Sequence, residues 1–257
     1  MLKHRIIPTL LWKNSTLVKG VKFDSSRRVG SLVPAIKVYR ARDVDELVVL
    51  DIAATSERRQ PDFNLIEEIA PLARVPLSVG GGISQLDDIT RLLHAGADKV
   101  VINSALYTNP EIVSNGARRF GSQCIVASID VRRDEKGEPI VFSHSGTRRE
   151  NQSLDSVVAR VIDSGAGEIL LTSMDQDGTM EGFDIELIRQ VARHKQIPVI
   201  ASGGAGQYDH FVEAIRDGGA SAVAAASIFH FTHLTPGGAR DAMGAAGLPV
   251  RKGMAAK

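Results

Sequence analysis

Eight short runs of apolar, largely β-branched residues recur along the chain, separated by amphipathic stretches and glycine turns. The runs are RIIPTL (5–10), ELVVLDI (46–52), VPLSVGG (75–81), DKVVIN (98–103), QCIVASID (123–130), EILLTS (168–173), IPVIASGG (197–204) and SAVAAAS (221–227). Near-continuous apolar runs are strands buried on both faces, the habit of parallel sheets. LDDITRLLHAG (86–96) and GFDIELIRQVARH (182–194) carry helical spacing, the first with a glycine stop. Eight β-α units in 257 residues predict an α/β fold, a single (β/α)8 TIM barrel over 1–257. An open doubly wound sheet is the competing arrangement.

An internal repeat sharpens the expectation. Glu46 opens one run and Glu168 another, 122 residues later, and VPLSVGGG (75–82) answers IPVIASGG (197–204) at the same offset. Ser104 pairs with Ser227 at 123, and RIIPTLL (5–11) pairs with CIVASID (124–130) at 119. Self-similarity of this kind predicts two half-barrels, about 1–120 and 121–257. The pairing sets Leu11 opposite Asp130.

Composition limits the function classes. Formal charge is +1, from 31 Lys+Arg against 30 Asp+Glu, so a polyanion partner such as nucleic acid is not expected. Cys124 is the only cysteine, which excludes an intrachain disulfide and permits a reducing compartment. No apolar run approaches the ~18–20 residues that span a bilayer, and the N-terminal stretch is too short for a secretory signal. The expectation is a soluble, cytoplasmic protein that does not engage a membrane.

In a barrel, the chemistry sits where the strands end. GGG (80–82) and SGGAG (202–206) each follow a strand and precede a helix, so backbone N–H groups can approach an anion there. Gly203, Gly204 and Ser227 follow strands seven and eight, where barrels commonly hold phosphate. The repeat makes Gly81, Gly82, Asn103 and Ser104 a second cup across the mouth. Two cups suggest a long substrate with a phosphate at each end; tight turns serving packing alone are the other reading. Asp51, Asp130, Asp175 and Asp177 lie at or just past strand ends and can serve as acid or base if burial raises their pKa. DQDGT (175–179) also reads as a turn. Asp130 closes an apolar run, where a charge is costly without a role; a salt bridge to Lys99 or to a nearby loop is the alternative. Arg5, Glu46, Lys99 and Glu168 open strands one, two, four and six, so they meet at the barrel bottom, where a structural plug is the ordinary reading. No HExxH, paired Cys/His spacing, GxSxG or dinucleotide fingerprint is present, so neither a metal nor a cofactor is expected.

Taken together, DELVVLDI, VGGGI, GADKVVINS, FGSQCIV, GAGEILLTSMDQDGT, IPVIASGGAG and ASIFHF resemble the signature segments of the HisF-like cyclase family of imidazole glycerol phosphate synthase. The likeness runs from RIIP to GLPVR (247–251). It implies a lyase of histidine biosynthesis that takes ammonia and a bis-phosphorylated formimino-ribulosyl nucleotide to imidazole glycerol phosphate. It implies a glutaminase docked on the barrel bottom, near Asp98, with the four charges as the gate to an ammonia channel. It also implies substrate contacts from Lys19, on a mobile covering loop, and from Asp51, Asp177 and Gly178 at the mouth.

The departures are specific. The family uses aspartates at the ends of strands one and five; Asp130 matches the second, and Leu11 stands in place of the first. RRVGSLVPA (27–35) replaces a Gly-Asp-Pro turn, HSGTRRENQSLD (144–155) lacks a Thr-Gly, and LTPGGARDAMGAAG (234–247) reads as a weakened last helix. Some relatives without that aspartate pass ammonia to a separate amidotransferase that builds amidino groups on surface sugars. An ammonia-channelling paralogue is therefore the alternative function.

Overall fold

The structure, a computed structural model, describes residues 3–24 and 27–253. Its strands are β1 (Arg5–Lys13), β2 (Thr16–Lys19), β3 (Arg27–Gly30), β4 (Leu47–Asp51), β5 (Leu77–Gly80), β6 (Lys99–Ile102), β7 (Ile125–Arg133), β8 (Pro139–Ser143), β9 (Arg148–Ser153), β10 (Glu168–Ser173), β11 (Val199–Ser202) and β12 (Ala222–Ala225). The eight apolar runs form a closed parallel cycle, β1-β4-β5-β6-β7-β10-β11-β12, with β12 returning to β1. This is the (β/α)8 barrel. Its strands are apolar throughout because helices cover the outer face and side chains fill the inside.

The remaining four strands extend the barrel at two places. After β1 the chain folds into β2 and β3, and after β7 into β8 and β9, all antiparallel. Both hairpins rise from the same end of the barrel, beyond the last residues of β1 and β7. Helices α1 (Leu32–Ala41), α2 (Phe63–Ala73) and α3 (Leu86–His94) start 122 residues before three later helices, Leu154–Asp163, Ile185–Ala192 and Tyr208–Arg216. Asp62 and Asp184, also 122 apart, cap the second of each set by accepting from Leu65 N and Leu187 N. A short polar acceptor is what the unpaired N–H groups of a helix start require. The 122-residue offset of the sequence thus recurs in the helix starts and their caps. The last helix, Pro236–Ala245, is whole despite its glycines: Thr235 caps it, Pro236 opens it, and Ala239, Arg240 and Met243 are buried. This corrects the expectation of a weakened element.

Inside the barrel, period-two alternation stacks the inward side chains in layers. Along β1 the order is Arg5, Ile7, Thr9, Leu11; along β10 it is Glu168, Leu170, Thr172. An apolar layer of Ile7, Val48, Val101, Val126, Leu170, Ile200, Ala222 and Ala224 lies above the charges. The charged end and the mouth are thus on one axis, with an apolar section between them.

Candidate active site

A cavity of about 460 Å³ opens at the strand ends. Lys19, Asp51, Gly81, Gly82, Asn103, Ser104, Asp130, Asp177, Gly178, Gly203, Gly204 and Ser227 all line it. Of the mouth residues named from the sequence as substrate or acid/base contacts, all but Asp175 are brought to one space, although they come from eight different β-α units; Asp175 instead accepts from Arg133 N at 2.7 Å.

Asp130 is inward-facing on β7 and buried. Asn103 Nδ2 donates to its Oδ2 at 3.2 Å and to Ser128 O at 3.1 Å. Burial first, then the Asp177 charge, pushes the Asp130 carboxyl up to about 7, against a hydrogen bond from Thr172 that lowers it. A carboxyl poised near neutrality can both take and return a proton. The suggested salt bridge from Asp130 to Lys99 does not exist, because the two sit at opposite ends of the barrel; Asn103 is the partner instead.

Leu11 lines the same cavity. On β1 it stands opposite Leu50 of β4 and Val18 of β2, while Asp130 on β7 stands opposite Thr172 of β10 and Phe142 of β8. Each is the first residue at which a barrel strand meets both its parallel neighbour and its own hairpin. The sequence pairing of Leu11 with Asp130 is therefore also a spatial one.

The glycine turns are dictated by crowding. Gly81 has φ +107°, and a Cβ there would run into Asp51 O; Gly203 has φ +93°, and a Cβ would lie 2.6 Å from Ser173 O. Only glycine combines a left-handed backbone with so close an approach. Ser227 Oγ is buried and has no hydrogen-bond partner among the described residues, which leaves it available to a ligand. Ser104 Oγ accepts from His144 N at 3.1 Å.

Lys19 differs from expectation. It lies on β2, buried, and its Nζ donates to both oxygens of Asp177 at 2.7 and 2.8 Å. Lys22 N donates to Asp177 O at 2.7 Å, and Gly178 abuts Gly20 O. The first hairpin is thus fastened across the mouth to the loop after β10, rather than lying as an open covering loop. Asp51 spends its carboxylate on its own turn: Oδ1 accepts from Ala53 N and Ala54 N at 3.0 Å each, and Arg59 binds Oδ2 at 3.2 Å. His144, Ser145 and Phe23 also line the cavity and were missed, because the hairpins carrying them were not recognised.

At the other end the four charges close a ring. Arg5 bonds Glu46 at 2.8 Å and Glu168 at 2.6 Å, and Lys99 bonds Glu46 at 2.9 Å and Glu168 at 3.0 Å. Ser78 Oγ donates to Glu46 Oε1 at 2.7 Å. Burial works to lower the Arg5 pKa, but Glu168 and Glu46 outweigh it and raise it. Asp98 is exposed on this face, and its Oδ2 accepts from Leu77 N at 2.8 Å. Among the described residues no group of three or more His, Cys, Asp or Glu could hold a metal ion, and no helix is long and apolar enough to cross a membrane.

Comparisons with known proteins show the family. A family model described as histidine biosynthesis protein matches residues 5–235. Two curated relatives are described as imidazole glycerol phosphate synthase subunit HisF, from Caulobacter vibrioides strains NA1000 / CB15N and ATCC 19089 / CIP 103742 / CB 15. Each is 48% identical over 254 residues, which covers 98% of this chain and 97% of the relative. The chain belongs to the HisF family of histidine biosynthesis proteins.

Proposed function

We propose that the chain is the cyclase-type subunit of an imidazole glycerol phosphate synthase, fed with ammonia by a glutaminase partner. The observation that carries this is Asp130, a buried carboxyl held near neutrality between two glycine cups. The Gly203–Gly204–Ser227 and Gly81–Gly82–Asn103–Ser104 cups would each take one phosphate of a bis-phosphorylated nucleotide. Asp130 would move the proton at the reacting centre between them. Lys19, Asp177 and Gly178 would hold the substrate under the first hairpin. Arg5, Glu46, Lys99 and Glu168 would admit ammonia from the glutaminase, seated near Asp98. The apolar layer above the ring favours neutral ammonia over ammonium, since an unpaired charge is costly there.

Leu11 favours a second reading. It sits in the spatial counterpart of the Asp130 position and cannot transfer a proton. The barrel would then deliver ammonia to a separate amidotransferase. The experiment mixes a HisF-type partner glutaminase with this chain and the bis-phosphorylated nucleotide, and follows glutamine consumption and imidazole glycerol phosphate together. Both are expected to rise. Stimulated glutamine hydrolysis with no imidazole product would assign the conduit role instead.

A further inference from the structure

The second hairpin carries an ionisable group into the mouth that the proposed mechanism does not use. His144, at the tip between β8 and β9, lines the cavity with Asp130 and Leu11. Its backbone N–H donates to Ser104 Oγ at 3.1 Å, at the strand-six cup beside Asn103 and Asp130. The next residue crosses to the opposite rim: Ser145 Oγ donates to Ile52 O at 2.8 Å, and Ile52 N donates to Trp12 O at 3.0 Å, one residue from Leu11. The tip therefore spans the mouth between the Asp130 side and the Leu11 side. Gly146, with φ +79°, lets the tip close onto Met174 and Phe23.

The ring of His144 is oriented from behind. Ser143 is fully buried, and its Oγ donates to Glu150 Oε1 at 2.5 Å. Glu150 is the one buried residue of the otherwise exposed β9, and Arg148 lies 3.3 Å from the same oxygen. A hydroxyl has one proton. With that proton given to Glu150, Ser143 Oγ can only accept from His144, 2.7 Å away, so Nδ1 carries the hydrogen. The neutral ring then has its lone pair on Nε2, the nitrogen left for the cavity.

We propose that His144 is the second proton-transfer group of this site, replacing the carboxylate that Leu11 lacks, with Ser143 and Glu150 as positioning residues that fix its tautomer. This rests on the cyclase reading. In one turnover the Asp130 carboxyl gives a proton to the substrate and the lone pair on His144 Nε2 takes one from it. Both then re-equilibrate with water, so the protein neither gains nor loses protons overall.

Two readouts test this on the full chain. In 15N-histidine NMR, His144 is expected as the Nδ1–H tautomer, and its Nε2 signal should shift when the bis-phosphorylated nucleotide binds. Glu150→Gln should weaken the tautomer preference while leaving the melting temperature within a few degrees. In turnover with ammonium, His144→Gln should lower kcat by ~10²–10⁴, with KM within threefold. A His144→Gln enzyme that keeps kcat within threefold of an active wild type would overturn the proposal and leave the cyclase reading intact. If the wild type binds the nucleotide by calorimetry but never turns over, the cyclase reading fails by itself. In that case a shifted Nε2 signal still supports His144 as a substrate-facing group, and an unmoved one overturns it.

Discussion

Replacing Asp130 with asparagine should make the protein more stable at alkaline pH while removing its activity. The argument follows from burial. Asp130 is buried at the mouth, and its carboxyl is pushed from 3.8 to about 7. In the unfolded chain it ionises near its ordinary value, so above pH 7 folding must hold a charge that water would hydrate better. That gap sets a penalty of about 4 kcal/mol at full ionisation, of which roughly 1–2 kcal/mol is already present at pH 5. The sign is fixed by the direction of the change. With a raised folded pKa, the penalty is absent below pH 3.8, where both states are protonated, grows between pH 4 and 7, and is complete above that. Asparagine is neutral throughout and can still accept from Asn103 Nδ2. Urea unfolding of wild type and Asp130→Asn at pH 5, 6, 7 and 8.5 should show the variant gaining roughly 2–3 kcal/mol across the series. A difference that does not change with pH, or a variant that is less stable at pH 8.5, would refute the reasoning.

Other perturbations have equally definite outcomes. Glu46→Ala leaves Arg5 and Lys99 sharing Glu168 alone, one carboxylate for two cations; thermal unfolding should report a loss of about 2–4 kcal/mol, moderated because both cations keep some solvent contact. Gly203→Ala forces a Cβ against Ser173 O at a left-handed backbone. Calorimetry should find phosphate-ester affinity reduced at least tenfold, with stability lowered by more than about 1 kcal/mol. Leu11→Asp should restore the family's acid/base pair; single-turnover kinetics should rise less than tenfold if His144 already serves, and by ~10² or more if nothing does.

The barrel was legible because its strands are buried on both faces, so all eight wrote themselves as apolar runs. The mouth was legible because positive-φ glycines follow two of those runs at repeat-related positions. The hairpins were not. Arg27–Gly30 and Arg148–Ser153 are short and mostly exposed, and they pair at the rim, where neither alternation nor hydrophobicity is required. With them went the placement of His144 and the burial of Lys19. The ion pair between Lys19 and Asp177 joins residues 158 positions apart, and no local pattern announces it. Asp130 was picked out for the cost of its burial, and only the alternative of a Lys99 partner failed: strand order shows which charges share a barrel, and only inward alternation shows at which height. The ring was legible as a bottom-face cluster because Arg5, Lys99 and Glu168 open strands and Glu46 immediately precedes one.

The most direct test of the account is steady-state conversion of the bis-phosphorylated nucleotide by the chain alone, at saturating ammonium and alkaline pH. The wild type should form imidazole glycerol phosphate, and Asp130→Asn should lose at least ~10²-fold in kcat. A wild type that binds the nucleotide and stimulates the glutaminase, yet forms no imidazole product, would contradict the account and leave a barrel that only conducts ammonia.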